Sequence, residues 1–309
     1  MIVVVCPGQG SQTPGFFSPW LELPQFRASI EAQQAASGID LIAHGTVSDA
    51  DTIRDTSVAQ PLIVSAGVAS LAALLDGKSA AASGIAGVAG HSVGEITAAV
   101  VAGVFDAETG IKFVNERGQA MAKAAAAEET SMAAVIGGEV ADVEAALAER
   151  GLFAANYNVA GQIVAAGNAA AIAELLANPI AGTRAMPLQV AGAFHTSYMS
   201  PAVDTLRTYA QSVSVADPAV KLWTNAGGHL VSSGAEFVQL LVSQVQSPVR
   251  WDFCMASMVE AGVTGIIEVS PAGALAGMAK RGMPGVEVVA LKGPDNLEAA
   301  RTLISNHSK

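Results

Sequence analysis

Only two cysteines, Cys6 and Cys254, occur in the 309 residues, so the chain has neither a disulfide framework nor a cysteine spacing that would bind a metal. Charge is scarce too. Asp, Glu, Lys and Arg make up 14% against 51% hydrophobic residues, the reverse of the composition that keeps a chain disordered. Basic residues are the rarer sign, 16 against 27 acidic, for a formal charge of −11. A nucleic-acid surface needs clustered Lys and Arg to neutralise phosphates, and here they are scattered. Apolar runs are short and interrupted by Ala and Gly, and none is expected to reach the roughly 18 to 20 residues that span a bilayer. No charged stretch precedes the first apolar run, which reads as a cytoplasmic protein without a leader. A chain this long can bury a core without cross-links, as one large domain or two modest ones.

What is present is a series of strand and helix signals. The first six residues, rich in β-branched side chains, read as a buried strand that stops at the glycine-rich loop Pro7-Gly8-Gln9-Gly10-Ser11-Gln12. In open α/β sheets, ligands bind at the C-terminal ends of the strands, so this loop is a site candidate. Residues 60–75 have helical apolar spacing, with Pro61 placed in the first turn. Residues 85–89 read as a second buried strand, followed by Gly90-His91-Ser92-Val93-Gly94-Glu95 and a helix over 96–104. From 131 to 190 the rhythm becomes β-α-β-β-α-β, a split ferredoxin-like arrangement that can form a unit of its own. The expected organisation is therefore a larger α/β domain from 1–130 and 191–309, interrupted by a small ferredoxin-like domain at 131–190. The alternative is a set of further layers on one sheet. No repeat or low-complexity linker interrupts the pattern, and a monomer is expected.

The glycine-flanked serine carries the chemistry. G-x-S-x-G between a buried strand and a helix fits an elbow that holds a nucleophile on a sharp turn, and a side chain at either glycine would collide with the neighbouring chain. Ser92 is thus the candidate nucleophile, with the N-terminus of the following helix facing any negative charge that develops. A serine needs a base, usually histidine. His91 sits beside the serine and would point away; His44 reads as lying in an early loop, His229 in a surface turn and His307 in a terminal tail. His195, in Gly192-Ala193-Phe194-His195, lies where the chain returns from the small domain to the large one, and it is the candidate base. No acidic residue between Ser92 and His195 stands out as a third member, so none is assigned.

These residues resemble the malonyl-CoA:acyl carrier protein transacylase family and the acyltransferase domains of fatty acid and polyketide synthases. The matching motifs are the Pro7–Gln12 loop, Gly90-His91-Ser92-Val93-Gly94-Glu95, Arg117-Gly118 with Met121, Gly161-Gln162, Gly192-Ala193-Phe194-His195, and Gln244 with Pro248-Val249-Arg250-Trp251. They span nearly the whole chain in family order. The resemblance implies a large α/β-hydrolase-like domain with a parallel central sheet and an inserted ferredoxin-like domain. It implies an acyl-enzyme on Ser92 with His195 as base, Gln244 near His195, and an oxyanion hole from Gln9 and the backbone N–H of Val93. Arg117 would bind the acyl carboxylate, and His91 and Phe194 would line the substrate site, Phe194 occupying the space of an α-methyl group.

The implied reaction moves a malonyl group from malonyl-CoA to the thiol of an acyl carrier protein. It needs no metal and no cofactor, because the coenzyme A thioester is itself the substrate. Two other enzymes share the pattern, the transacylase component of a malonate decarboxylase and a serine hydrolase or thioesterase; a carrier-binding module with a decayed site is a third reading. Arg117 separates the first from a general esterase, since a guanidinium offers a carboxylate two parallel donors. Its competing reading is a solvated helix arginine paired with Glu116 or Glu128. A carrier of acidic character would have to dock on a local basic patch, for which Lys280-Arg281, Arg250, Lys221 and Arg184 are candidates.

Overall fold

Strand β1 (Ile2–Cys6) is five apolar residues without alternation, all buried, the pattern of a strand covered on both faces. Helices α1 (Pro24–Ser37), α2 (Leu41–Thr46) and α3 (Thr56–Leu75) follow, then β2 (Ile85–Gly90), α4 (Gly94–Ala102) and α5 (Ala107–Ala125). Next come β3 (Thr130–Gly137), α6 (Val140–Glu149), β4 (Phe153–Val159), β5 (Gln162–Asn168), α7 (Ala169–Ala177) and β6 (Thr183–Pro187). The remainder is α8 (Ser200–Ala210), β7 (Lys221–Trp223), β8 (Leu230–Val231), α9 (Gly234–Gln244), β9 (Val249–Arg250), α10 (Trp251–Glu260), β10 (Gly265–Glu268), α11 (Ala274–Gly282), β11 (Glu287–Ala290) and α12 (Leu297–His307). The computed structural model describes residues 1–190 and 192–307. Ala191, where the sequence places the return to the large domain, lies outside the described residues, as do Ser308 and Lys309 at the end of that segment.

The strands form two sheets in a mixed α/β protein. The first has the order β11-β10-β1-β2-β7-β8 and is parallel except for β8. Cys6 pairs with Gly90 at the C-terminal ends of β1 and β2, so the loops leaving these two strands emerge side by side. The second sheet has the order β6-β3-β5-β4-β9 and is antiparallel except where β9 runs parallel to β4. Its fifth strand, β9, comes from beyond the 131–190 segment and follows closely on α9. The chain beyond that segment therefore contributes strands to both sheets.

Helix α3 departs from the sequence reading twice. Its start is set by Asp55, whose side chain accepts the Ser57 N–H at 2.8 Å, so the helix begins at Thr56 and Pro61 falls inside it rather than in its first turn. It is also long and apolar enough to cross a membrane, with a mean hydropathy of 1.9, where no run of that kind was expected. Protein surrounds it instead: 83% of its apolar window is buried, and α1, α4 and α5 pack on it. A helix covered all round carries no polar stripe to betray its surroundings. His44 lies in α2 rather than in a loop, and His307 ends α12 with its ring against the Thr264 hydroxyl rather than in a tail.

Candidate active site

Between the end of β2 and the start of α4, three residues make the turn: His91, Ser92 and Val93. Ser92 has φ of 53°, in the left-handed region that costs an L-residue energy unless its surroundings enforce it. They do. A Cβ on Gly90 would lie 2.1 Å from the Gly94 carbonyl carbon, and one on Gly94 would lie 2.1 Å from the Cys6 oxygen. Glycine at both positions is what lets β1, β2 and α4 close on the turn. Asn225, just past β7, pins it from the other side: its Oδ1 accepts the Ser92 N–H and its Nδ2 donates to the Gly90 oxygen, both at 2.8 Å.

The structure brings His195 to this serine. Its Nε2 lies 2.6 Å from Ser92 Oγ, and its Nδ1 lies 2.9 Å from the main-chain oxygen of Gln244. A carbonyl can only accept, so Nδ1 carries the proton and Nε2 is left to take one from the hydroxyl. His195 itself has φ of 62°, and its N–H is held by the Val245 oxygen at 3.0 Å. Burial, and then the charge of Arg117, press its pKa down to about 3, so the ring is neutral. The partner of Nδ1 is thus the backbone of Gln244, not its amide. That amide is turned elsewhere: Oε1 accepts from Arg117 at 2.8 Å, while Nε2 donates to the Ser92 oxygen at 3.1 Å and to Glu95.

Arg117 projects from α5 and is 1% exposed, so it lies on no solvated helix face. Its partners are Gln60, which accepts from Nη1 at 2.6 Å, and Gln244, rather than Glu116 or Glu128. Nη2 reaches within 3.5 Å of Ser92 Oγ, and Nε has no hydrogen-bond partner among the described residues. Desolvation brings the guanidinium pKa down to about 10, offset by the negative charge of Glu95, and the group stays charged at neutral pH. Glu95 is buried as well, and burial raises its pKa to about 7.

Of the two oxyanion candidates, Val93 offers the backbone N–H expected of it, whereas Gln9 offers its backbone N–H rather than its side chain. The Gln9 side chain is directed to the Arg54 oxygen at 3.4 Å and the Thr56 hydroxyl at 3.3 Å. Among the described residues no acceptor takes the main-chain N–H of either Gln9 or Val93, and both residues line the cavity in front of Ser92. The pair suited to an oxyanion is therefore two backbone donors. His91 sits in the cavity wall with Nε2 on Asn158 Oδ1 at 2.9 Å and its ring edge-on to Trp251; burial lowers its pKa. Phe194 both lines the cavity and packs into the core, so its ring does not face away from the site.

The cavity holds about 260 Å³ and is walled mostly by apolar groups. The loops after β1 and β2 form one side; Asn156 and Asn158 of the second sheet, and Leu275 and Met278 of α11, form the others. Sequence reasoning missed Asn225, Gln60 and Asn158 and saw Glu95 only as a motif letter. None of the first three has a local pattern, because each acts on residues far away in the chain.

Comparison with known proteins places these features in context. Residues 3–303 match the acyl transferase domain family. The chain is 45% identical over 308 residues to the malonyl CoA-acyl carrier protein transacylase of Mycobacterium tuberculosis, covering 98% of this chain and 100% of that one. To the transacylase of the same name from Escherichia coli it is 32% identical over 308 residues, 97% of this chain and 98% of the other. Among solved structures it is similar to MCAT from Mycobacterium tuberculosis, with a TM-score of 0.93 at 45% identity over 97% of this chain and 99% of that one. It is also similar to PlMCAT, a malonyl-transacylase in complex with the type II PKS acyl-carrier protein AntF, with a TM-score of 0.92 at 27% identity over 98% and 99% of the two chains.

Proposed function

The chain belongs to the acyl transferase domain family, and from that premise we propose that it transfers a malonyl group from malonyl-CoA to the phosphopantetheine thiol of an acyl carrier protein. One observation carries the choice of acyl group: a buried, charged Arg117 with Nη2 3.5 Å from Ser92 Oγ. An enzyme for neutral acyl groups has no use for a cation turned toward its nucleophile, whereas a malonyl carboxylate gives that cation a direct ionic partner in the cavity.

The transfer is ping-pong. His195 Nε2 takes the Ser92 proton as Oγ attacks the thioester carbonyl, and the oxyanion is held by the N–H groups of Gln9 and Val93. The C–S bond breaks, and His195 returns the proton to the coenzyme A sulfur. The carrier thiol then enters, gives its proton to His195 and attacks the malonyl ester, and Ser92 leaves with that proton. A thiol is a good leaving group, so a histidine backed by the neutral Gln244 carbonyl suffices where a peptidase uses a carboxylate. His91 and Phe194 line the acyl and pantetheine space, with Phe194 filling the volume of an α-methyl. No metal or cofactor enters the scheme.

The finer architecture follows the same reading. The mostly parallel sheet carrying the elbow supports an α/β-hydrolase-like domain over 1–130 and 191–309. The order β6-β3-β5-β4 supports a ferredoxin-like domain over 131–190. The setting we assign is the cytoplasm.

Intact-mass measurement after incubation with malonyl-CoA tests the proposal. The protein gains one malonyl group, Ser92→Ala gains none, and added holo-carrier protein removes the group as malonyl-carrier. Release of free malonate in place of malonyl-carrier would make the protein a hydrolase; transfer only to the carrier subunit of a malonate decarboxylase would make it that enzyme's component.

A further inference from the structure

Glu95 opens α4 directly beneath the nucleophile turn, is 1% exposed, and has no part in the proton transfers above. Its two oxygens serve three donors, one of them the Thr224 hydroxyl. Oε1 accepts the Asn225 N–H at 2.7 Å, and Oε2 accepts from Gln244 Nε2. Gln244 then offers the other end of its amide, Oε1, to Arg117 Nη2 at 2.8 Å. An amide has one donor end and one acceptor end, so whatever fixes the first fixes the second. The ionised carboxylate facing Nε2, together with the Ser92 oxygen, leaves Gln244 one way round, with its oxygen toward the guanidinium. The charged or titratable groups turned toward Glu95 are Arg117 from α5 and Cys254 from α10, whose thiol is held neutral by burial. Thr224, Asn225 and Gln244, its remaining polar neighbours, carry no charge.

We propose that Glu95 is the positioning residue of the acyl-carboxylate pocket: through the Gln244 amide it sets Arg117 for donors that carry a free carboxylate. This rests on the malonyl reading above and adds a residue to it. Glutamine at position 95 has one acceptor oxygen for three donors, the Asn225 N–H, the Thr224 hydroxyl and Gln244 Nε2. If it serves Asn225, its own NH₂ confronts Gln244, whose amide turns over and presents N–H groups to Arg117. The guanidinium then loses its partner at Nη2 and keeps only Gln60 at Nη1, while the Gln244 main-chain oxygen and His195 stay in place.

The experiment is a double-mutant cycle read as the ratio of kcat/KM for malonyl-CoA to that for acetyl-CoA, with Ser92 acylation as the assay. Wild type, Glu95→Gln, Gln244→Met and the double variant are compared. Glu95→Gln is expected to lower the malonyl-to-acetyl ratio by about tenfold or more, the scale of a hydrogen bond to a charged group, chiefly through KM for malonyl-CoA. Gln244→Met is expected to do the same, and the double variant no more than the larger single change, because both break one relay. An unchanged ratio in folded Glu95→Gln, or a double variant whose loss is the product of the single losses, overturns the proposal. Equal loss for both donors does so too, since a merely structural glutamate would give that. Should Glu95→Gln fail to fold, Gln244→Met alone decides: a lowered malonyl-to-acetyl ratio supports the relay, and an unchanged ratio refutes it. Wild type provides the separate control, because failure to accept malonyl there sinks the transferase reading and not the relay.

Discussion

Replacing Gln9 by alanine separates two roles that one residue could play. If its side chain held the oxyanion, turnover would fall by about 10²- to 10³-fold. The structure ties that side chain to Arg54 and Thr56 and gives the main-chain N–H no acceptor among the described residues, so Gln9→Ala is expected to keep kcat within about fivefold, the effect of one ordinary hydrogen bond. Rapid-quench acylation kinetics read the difference. His195 gives a second expectation. At an ordinary value a histidine base loses activity about tenfold as pH falls from 7.5 to 5.5. With its pKa pressed down to about 3, His195 stays neutral across that window, and acylation by acetyl-CoA, which makes no demand on Arg117, should be flat there. A fall centred near 6.5 would mean that burial and Arg117 do not act on the ring as described. A malonyl carboxylate seated on Arg117 cancels one of those two causes, so the donor with the free carboxylate also leaves behind a stronger base.

At the scale of elements, α11 depends on a single side chain. Glu268, at the end of β10, accepts the N–H groups of Gly273 and Ala276 at 2.8 Å and of Leu275 at 3.0 Å, and so caps the helix that carries Leu275 and Met278 into the cavity. Glu268→Ala strands three donors in a site with no exposure and is expected to cost roughly 3 kcal/mol or more in urea unfolding. Such elements explain what could be read in advance. Ser92 was legible because the crowding that makes a nucleophile turn demands glycine on both sides, and that demand is written within five residues. His195 was legible from its place between two runs of different rhythm. Asn225, Gln60 and Glu268 were not, since an amide or carboxylate gains its meaning from partners that only folding supplies. Helix α3 was cut short because Pro61 reads as a helix start, whereas tertiary burial outweighs the hydrogen bond the proline forgoes.

For the molecule as a whole, the −11 charge bears on the carrier half-reaction. Of the basic candidates, Lys221 starts β7, at the opposite end of the parallel sheet from the cavity. Arg250 is clamped over the rings of Tyr157 and Phe253 and paired with Asp252 at 2.7 Å. Arg184 lies exposed on β6 of the second sheet. Lys280 and Arg281 end α11, the helix that walls the cavity, and both are exposed. Charge reversal at these two positions is expected to raise KM for the carrier about tenfold at low salt, with the penalty shrinking as salt is added. Acylation by malonyl-CoA should change less. An equal effect on both steps would move the docking surface elsewhere.

The register of the central sheet sets the order in which such a molecule can be made. Strand β1 lies between β2 and β10, and Ile2 pairs with Gly265, so β1 waits for a strand about 260 residues further along the chain before its second edge is covered. Pairings of that sequence separation form slowly, and the exposed edge of a Val-rich strand invites other chains in the meantime. A nascent chain halted before β10 lacks α11, and with it one wall of the cavity. The cavity is thus closed only once α11 is in place, and until then the uncovered edge of β1 is open to a strand from another chain.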